Sequence, residues 1–157
     1  MCGANSEAHT PRVRRPTHFL AALFLSILAT ACDDADARRR EEMKDRLVGT
    51  WLEEAEFEGT KFRSVVSLQK GGAFQQTTQV IQPDGTARSE ASTGDWVFDG
   101  ETFKRRYRTM NEKQVRGILF ASYQVISLTD AELACVDHLT EGKRDVRFRR
   151  VPEGTKP

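Results

Sequence analysis

From Leu47 to Val151 apolar and polar residues tend to alternate, and turn-forming residues recur about every 10 positions. A period of two with short punctuation marks half-buried strands, and strands at that spacing predict an all-β sandwich or barrel. Eight strands are predicted, over 50–57, 61–70, 73–82, 86–98, 101–110, 118–128, 132–139 and 143–151. The joints Glu58-Gly59, Gly71-Gly72, Pro83-Asp84-Gly85, Asp99-Gly100, Thr129-Asp130 and Glu141-Gly142 carry turn chemistry. The joint over 111–117 reads as longer and polar, ending at Gly117, and Gly94 as a bulge or corner within the fourth strand. Short joints pair neighbours along the chain antiparallel.

Alternation also assigns faces. Trp51, Glu53, Ala55 and Phe57 share one face of the first strand, and Phe62, Ser64, Val66 and Leu68 one face of the second. Phe103, Arg105 and Tyr107 group on the fifth. On the sixth, Ile118, Phe120, Ser122, Gln124, Ile126 and Leu128 form the inner set, and on the last Val146, Phe148 and Arg150 do. The outer faces of the first and last strands have opposite charge, Glu54, Glu56 and Glu58 against Arg147 and Arg149. Side by side they would contribute roughly 0.2–1 kcal/mol per cross-strand pair, which favours a closed barrel over an open sheet. Residues 152–157 read as a disordered tail.

The segment before the strands is different. Residues 33–46 are almost wholly charged, a tether turning into a short helix on which only Met43 and Leu47 can dock. Upstream, Arg12, Arg14 and Arg15 precede an apolar run of 13 residues from Phe19 to Ala31. A spanning helix needs roughly 20 apolar residues, so the run is too short for one. Basic, then apolar, then small residues make an export signal over 1–31. Leu28-Ala29-Thr30-Ala31-Cys32 resembles the cleavage site of bacterial lipoproteins, although Leu is usual where Ala29 stands. The resemblance implies a diacylglyceryl thioether on Cys32, with a palmitate-type acyl chain on the freed amine in many species. Two or more chains suffice for stable anchoring, at about 0.8 kcal/mol per buried methylene. Ala29-Thr30-Ala31 also fits an ordinary secretory site, which leaves plain secretion as the alternative. Asp33 directly after the cysteine resembles an inner-membrane retention signal of enteric bacteria. The expected address is the bacterial cell envelope, lipid-anchored and facing the periplasm, with the inner membrane favoured over the outer. Arg14-Arg15 is followed by Pro16-Thr17-His18 rather than a hydrophobic pair, which argues against the twin-arginine route.

Processing at Cys32 removes Arg12, Arg14, Arg15 and Glu7, taking 24 basic residues to 21 and 23 acidic ones to 22. A chain near −1 gives no electrostatic case for nucleic acid. Of the three histidines only His138 lies after residue 32, too few for a zinc site, and no cofactor motif is present. Cys135 reads as a buried small hydrophobe.

Gly49-Thr50-Trp51 opens the first strand just after the short helix, and a second copy, Gly94-Asp95-Trp96, lies in the fourth. With the pattern LVGTW … GDWVFDGETF … LTDAELACV … FRRV, residues 47–151 resemble the small lipocalin-like domains of bacterial lipoproteins. The resemblance implies a small antiparallel up-and-down lipocalin-like β-barrel of about eight strands. It implies also that Trp51 packs at the closed end against Arg150, a cation–π contact of about 0.5–2 kcal/mol. Strands this short put a deep cup in question, because small barrels either fill with their own side chains or hold one small ligand.

Three classes of function follow. As a binding module the barrel would take a small apolar or amphipathic ligand. Glu53, Gln76, Arg105, Tyr107 and Gln124 would then line a wet pocket, since buried polar groups are costly without partners. As an interaction or inhibitor module acting on an envelope protein, it would use the joint 111–117 and the basic face of Lys104, Arg106 and Arg108. An enzyme needs a positioned acid, base or nucleophile. A single histidine and scattered carboxylates point away from one, and loss of an activity on substituting Glu53 or Asp137 would be its signature.

Overall fold

Each strand pairs antiparallel with its neighbour in the chain, and the last pairs with the first, in a computed structural model that describes residues 34–138 and 143–157. The eight strands are β1 (Gly49–Phe57), β2 (Thr60–Leu68), β3 (Ala73–Ile81), β4 (Ala87–Phe98), β5 (Thr102–Met110), β6 (Lys113–Leu128), β7 (Glu132–Asp137) and β8 (Arg144–Val151). A helix, α1, spans 34–47 and precedes them. The result is a closed up-and-down barrel, the architecture predicted from alternation and turn spacing. The export signal over 1–31, Cys32, Asp33 and the joint at Glu141-Gly142 lie outside the described residues.

One end of the barrel is plugged. From Ala37 onward α1 belongs to the same compact unit as the barrel. Its last residue, Leu47, is fully buried in the aromatic core, while Met43 is half-buried. Arg46 reaches Asp130 at 3.3 Å, and Asp45 meets Lys70 at 3.5 Å, so the helix end is tied to two of the turns that ring this end. Above it pack Trp51, Val66, Leu68, Phe74, Trp96, Phe103, Leu133 and Phe148. Their rings meet edge-on or offset, as between Trp96 and Phe103 at 6.0 Å and Tyr123 and Phe148 at 5.8 Å. Gly94 sits where β4 and β5 shift register. A Cβ there would lie 2.0 Å from the carbonyl oxygen of Arg106 and 2.8 Å from the ring of Phe74, so no larger residue lets the strands approach this closely.

The structure corrects the sequence reading in β6. The joint is not a seven-residue loop: Asn111 and Glu112 make a two-residue turn, and β6 already begins at Lys113. Both turn residues are left-handed, at φ 48° and 65°, as this class of hairpin requires. Asn111 is fastened to β4, its amide donating to the Ala91 carbonyl at 2.7 Å and its Oδ1 accepting from the Ala91 amide at 2.9 Å. Gly117, expected to end the loop, lies within β6 at φ 86°, in an insertion between Gln114 and Leu119 that faces Arg108.

The face assignment of β6 is also reversed. Tyr123 is buried and paired with Phe103, and Ala121 is paired with Arg105, so the odd-numbered residues point inward here. Ile118, Phe120 and Ile126 lie outside, exposed at 84%, 48% and 62%. Only past the register shift at Val125/Ser127 does Leu128 join the core. Both faces of β6 are apolar, and alternation by itself favoured the one that carries Ile and Phe.

The barrel closes, but not through the charges proposed for it. The β1–β8 ladder runs only from Thr50↔Val151 to Glu53↔Phe148. Glu54 meets Arg63 of β2 at 3.6 Å, and Arg147 meets Glu132 of β7 at 2.9 Å. Residues 152–157, expected to be disordered, turn through a Thr155–Pro152 hydrogen bond of 2.7 Å, and Thr155 to Pro157 line an outer cleft with Thr77, Gln79 and Ala87.

Candidate functional site

Trp51 and Arg150 face each other across the β1–β8 seam and form the floor of the barrel. Trp51 donates from its indole nitrogen to the Leu47 carbonyl at 2.8 Å, and the Arg150 guanidinium lies over its ring at 4.1 Å. Arg150 then donates to the carbonyls of Asp130 and Val48, at 2.7 and 2.8 Å, and to that of Arg46. One side chain thus gathers the helix end, the start of β1 and the β6–β7 turn. Gly49 makes room for it: its φ is 137°, and a Cβ would sit 2.3 Å from Nη1 of Arg150. The pair is structural, satisfying carbonyls that the end of a helix leaves open.

Above this floor the bore changes character. Arg105, on β5 between Phe103 and Tyr107, is 2% exposed and sits inside the barrel. Its Nη1 donates to Gln76 Oε1 at 2.7 Å, and its Nη2 to the Tyr123 hydroxyl at 2.7 Å. Four rings surround it, Tyr123 at 5.2 Å and Phe74, Phe103 and Tyr107 at 5.7 to 5.9 Å. Gln76 Oε1 also accepts from Tyr107 at 3.5 Å, and Gln76 Nε2 donates to Thr78, which shares a 2.8 Å hydrogen bond with Ser64. The Arg105 Nε is buried and has no partner among the described residues.

The electrostatics are unusual for so enclosed a group. Burial opposes the charge on Arg105, but Tyr123, Tyr107 and Glu53 outweigh it and hold its pKa above the ordinary arginine value. Burial pushes the Tyr123 phenol up despite Arg105, so it stays protonated. Among the described residues no carboxylate lies within ion-pairing distance of Arg105. Glu53, the nearest in influence, is engaged by Arg144 at 3.0 Å. That contact reaches from the last pair of the β1–β8 ladder toward the open end, where the two strands cease to pair.

Toward that end the inward positions are smaller, including Ala55, Ser64, Thr78, Ser92 and Ala121. The rim is apolar. Phe57, Met110 and Leu119 are exposed at 69%, 40% and 41%, and Phe62 is half-buried. The interior is therefore apolar at its rim, polar in its middle around Arg105, and aromatic at its floor. The clefts beside the tail, at the β1–β2–β3 rim and over the β6 insertion are lined by neither Arg105 nor Tyr123.

Of the residues read from sequence as pocket lining, Glu53, Gln76, Arg105 and Tyr107 face the bore, and three of these, Gln76, Arg105 and Tyr107, are joined by hydrogen bonds. Gln124 is not among them. It follows the reversed phase of β6, points outward and bonds His138 at 3.0 Å. Tyr123, its neighbour, takes the inward place and was missed for the same reason. The outer basic face is already paired: Arg106 and Arg108 share Asp95 at 2.8 and 2.6 Å, and Lys104 meets Asp99 at 3.1 Å. Hydrogen bonds from Arg108 and Arg106 hold the Asp95 carboxyl below its usual range. Cys135 is buried against the core, and burial pushes its thiol up to about 12. Among the described residues no group of three His, Cys, Asp or Glu is placed to hold a metal ion.

No protein-family model matches the chain, and no curated protein matches it in sequence. The fold is an eight-stranded antiparallel up-and-down barrel, consistent with a lipocalin-like architecture and compatible with ligand binding.

Proposed function

We propose that this protein is a lipocalin-like binding lipoprotein: its barrel takes one small amphipathic ligand through the open end, and its N-terminus is anchored by lipid at Cys32. The observation that carries the binding reading is Arg105. Its guanidinium is enclosed by four rings, hydrogen-bonded to Gln76 and Tyr123 with its Nε unpartnered and no carboxylate in contact among the described residues, which gives the middle of the barrel an interior polar group for a ligand to meet. An apolar rim above it suits the other half of an amphiphile. The anchor rests on Leu28-Ala29-Thr30-Ala31-Cys32 and the basic and apolar residues before it, and places the barrel on the periplasmic side of the envelope. This reading assigns the chain no catalytic step.

The interaction-module alternative draws on the exposed Ile118 and Phe120 of β6. It is weakened by the loss of its loop, since 111–117 is a tight turn followed by strand, and by the pairing of its basic face with Asp95 and Asp99.

Mass spectrometry of the full chain purified from a bacterial host tests both parts of the proposal. Under denaturing conditions the expected mass is that of the chain from Cys32 onward plus acyl chains. Under native conditions an additional small molecule is expected, retained by the parent and lost in a variant that fills the bore, Ala121→Trp. A cleaved chain without acyl groups would refute the anchor. An empty parent that also fails to take up added amphiphiles would refute the binding role.

A further inference from the structure

We propose that the outer wall formed by β5 and β6 is a docking surface for an anionic phospholipid bilayer. Ile118 and Phe120 enter the interface, and the lysines and arginines around them face the headgroups. The inference goes beyond the ligand-binding role and stands without it.

The apolar part of the surface has no structural task. Ile118 and Phe120 are exposed, and so is Val97 of β4, on the same side of the wall. Phe120 pairs with Arg106 and Val97 with Lys104, both outward on β5. The core is supplied from the other face of β6, by Ala121 and Tyr123. β7 pairs with β6 only from Tyr123 onward, so the part of β6 that bears Ile118 and Phe120 has β5 as its one strand neighbour among the described residues. Exposed apolar side chains grouped in this way, rimmed by polar ones, mark a surface that meets a partner.

The charges around the patch select the partner. β5 and β6 carry Lys104, Arg106, Arg108, Lys113 and Arg116 and no acidic residue. Arg106 and Arg108 share a single carboxylate, that of Asp95, and Lys113 and Arg116 have no ion pair among the described residues. Even with Lys104 held by Asp99 and with Glu112 in the turn, the wall keeps an excess of positive charge. β1 lies four strands away in the eight-stranded ring, on the opposite side, and carries Glu53, Glu54 and Glu56 with no basic residue. In the field of an anionic surface that asymmetry turns the barrel with its basic wall foremost. Apolar and basic residues on one face are the combination that holds a protein at a bilayer interface. A second copy is the poorer occupant, because a two-fold contact through this patch would set the same cations against each other. Arg40 of α1 lies against Gly100 in the turn between β4 and β5, so the helix passes the foot of this wall. An acyl anchor at Cys32, as proposed above, would hold this wall rather than β1 toward the bilayer.

The test uses the chain as purified from its bacterial host, with an environment-sensitive thiol dye on Gln114→Cys of the wall or on Glu56→Cys of β1. The signal of the unsubstituted chain, treated with the same dye, is subtracted. Vesicles of phosphatidylcholine, alone or mixed equally with phosphatidylglycerol, are supplied at low salt. The expected result is a blue shift of the Gln114→Cys dye in the mixed vesicles, with quenching by brominated lipid at least about threefold stronger than at Glu56→Cys. In about 1 M salt, where the screening length is about 3 Å, the shift is expected to vanish. It is expected to vanish also with Ile118→Ser and Phe120→Ser together, and with Lys113→Glu and Arg116→Glu together. All four side chains are exposed, so these variants keep the fold. Dyes that respond alike on the two walls would overturn the proposal, as would a Gln114→Cys shift equally large on phosphatidylcholine alone. A shift that appears without vesicles as light scattering reports a dimer would overturn it too and assign the wall to a second copy. The readout compares two walls of one chain, so a missing acyl group or an empty barrel would refute the earlier reading and leave this comparison intact.

Discussion

Arg105 is the residue on which the middle of the barrel is built. It is wedged among Phe74, Phe103, Tyr107 and Tyr123 and donates to neutral hydrogen-bond partners. Removing its guanidinium leaves Gln76 and Tyr123 without that donor, at about 1–3 kcal/mol for a buried group left unsatisfied. Arg105→Met is therefore expected to unfold in urea at a lower midpoint than the parent's. A midpoint no lower than the parent's would show that apolar packing by methionine outweighs the lost hydrogen bonds. Cys135 makes the opposite point. Its thiol is buried and pushed up to about 12, and only a thiolate attacks disulfide reagents readily. In mildly alkaline buffer the native chain should leave Cys135 unlabelled by a thiol reagent over the time in which the urea-unfolded chain is labelled fully, as peptide mapping would show. Rapid native labelling would show that the β7 wall opens easily.

At the scale of elements, the two Gly-x-Trp copies do related work with different geometry. In the first, Gly49 opens a path for Arg150 to cross behind Trp51. In the second, Gly94 lets β4 and β5 touch at their register shift, while Trp96 donates to the Gln69 carbonyl at 2.9 Å and seals the β2–β3 turn. Gly94→Ala places a methyl against backbone as well as against Phe74, and neither can retreat without moving a strand. The expected loss is at least about 2 kcal/mol by chemical denaturation, in the range of overpacked cores. A near-neutral result would show that the β4–β5 bulge relaxes freely. β6 shows why element boundaries and phases are harder to read than element types. Turn chemistry at Asn111 is visible in the sequence, but the polar run Lys113, Gln114 and Arg116 looks like loop until it is paired with β5. Leu119, Ala121, Tyr123 and Val125 alternate as well as Ile118, Phe120 and Ile126 do, so only the register opposite Phe103 and Arg105 decides which set is inside.

The whole molecule is a ring with one short weld. Seven of its ladders join neighbours in the chain, and the eighth joins β1 to β8 through four residue pairs. Past Glu53 and before Phe148 the two strands are unpaired with each other, and the Glu53–Arg144 contact spans the parting. Hydrogen exchange should therefore be fastest, among strand amides, on the facing edges of 54–57 and 144–147, and slowest in β2 to β5. Uniform protection around the ring would show that the seam is no weaker than the rest. This parting adjoins the apolar rim, so it is where the proposed ligand would enter.

Period-two burial, turn residues at short intervals and the tryptophans after glycine were enough to determine strand count, antiparallel neighbours and a plugged, all-β barrel. These are local or nearest-neighbour properties, written in side-chain order. Alternation on β5, the phase set by Trp51 on β1 and the spacing of Phe74 and Val80 on β3 put Glu53, Gln76, Arg105 and Tyr107 on inward faces from the sequence alone. Tertiary structure alone decided that Arg105 meets Tyr123 and Gln76, that Gln124 lies outside, that the glutamates of β1 turn to β2 rather than β8, and that the seam is four pairs long. Those facts depend on register and shear around a closed ring. A one-residue slip there turns a strand inside out without changing a letter of the sequence.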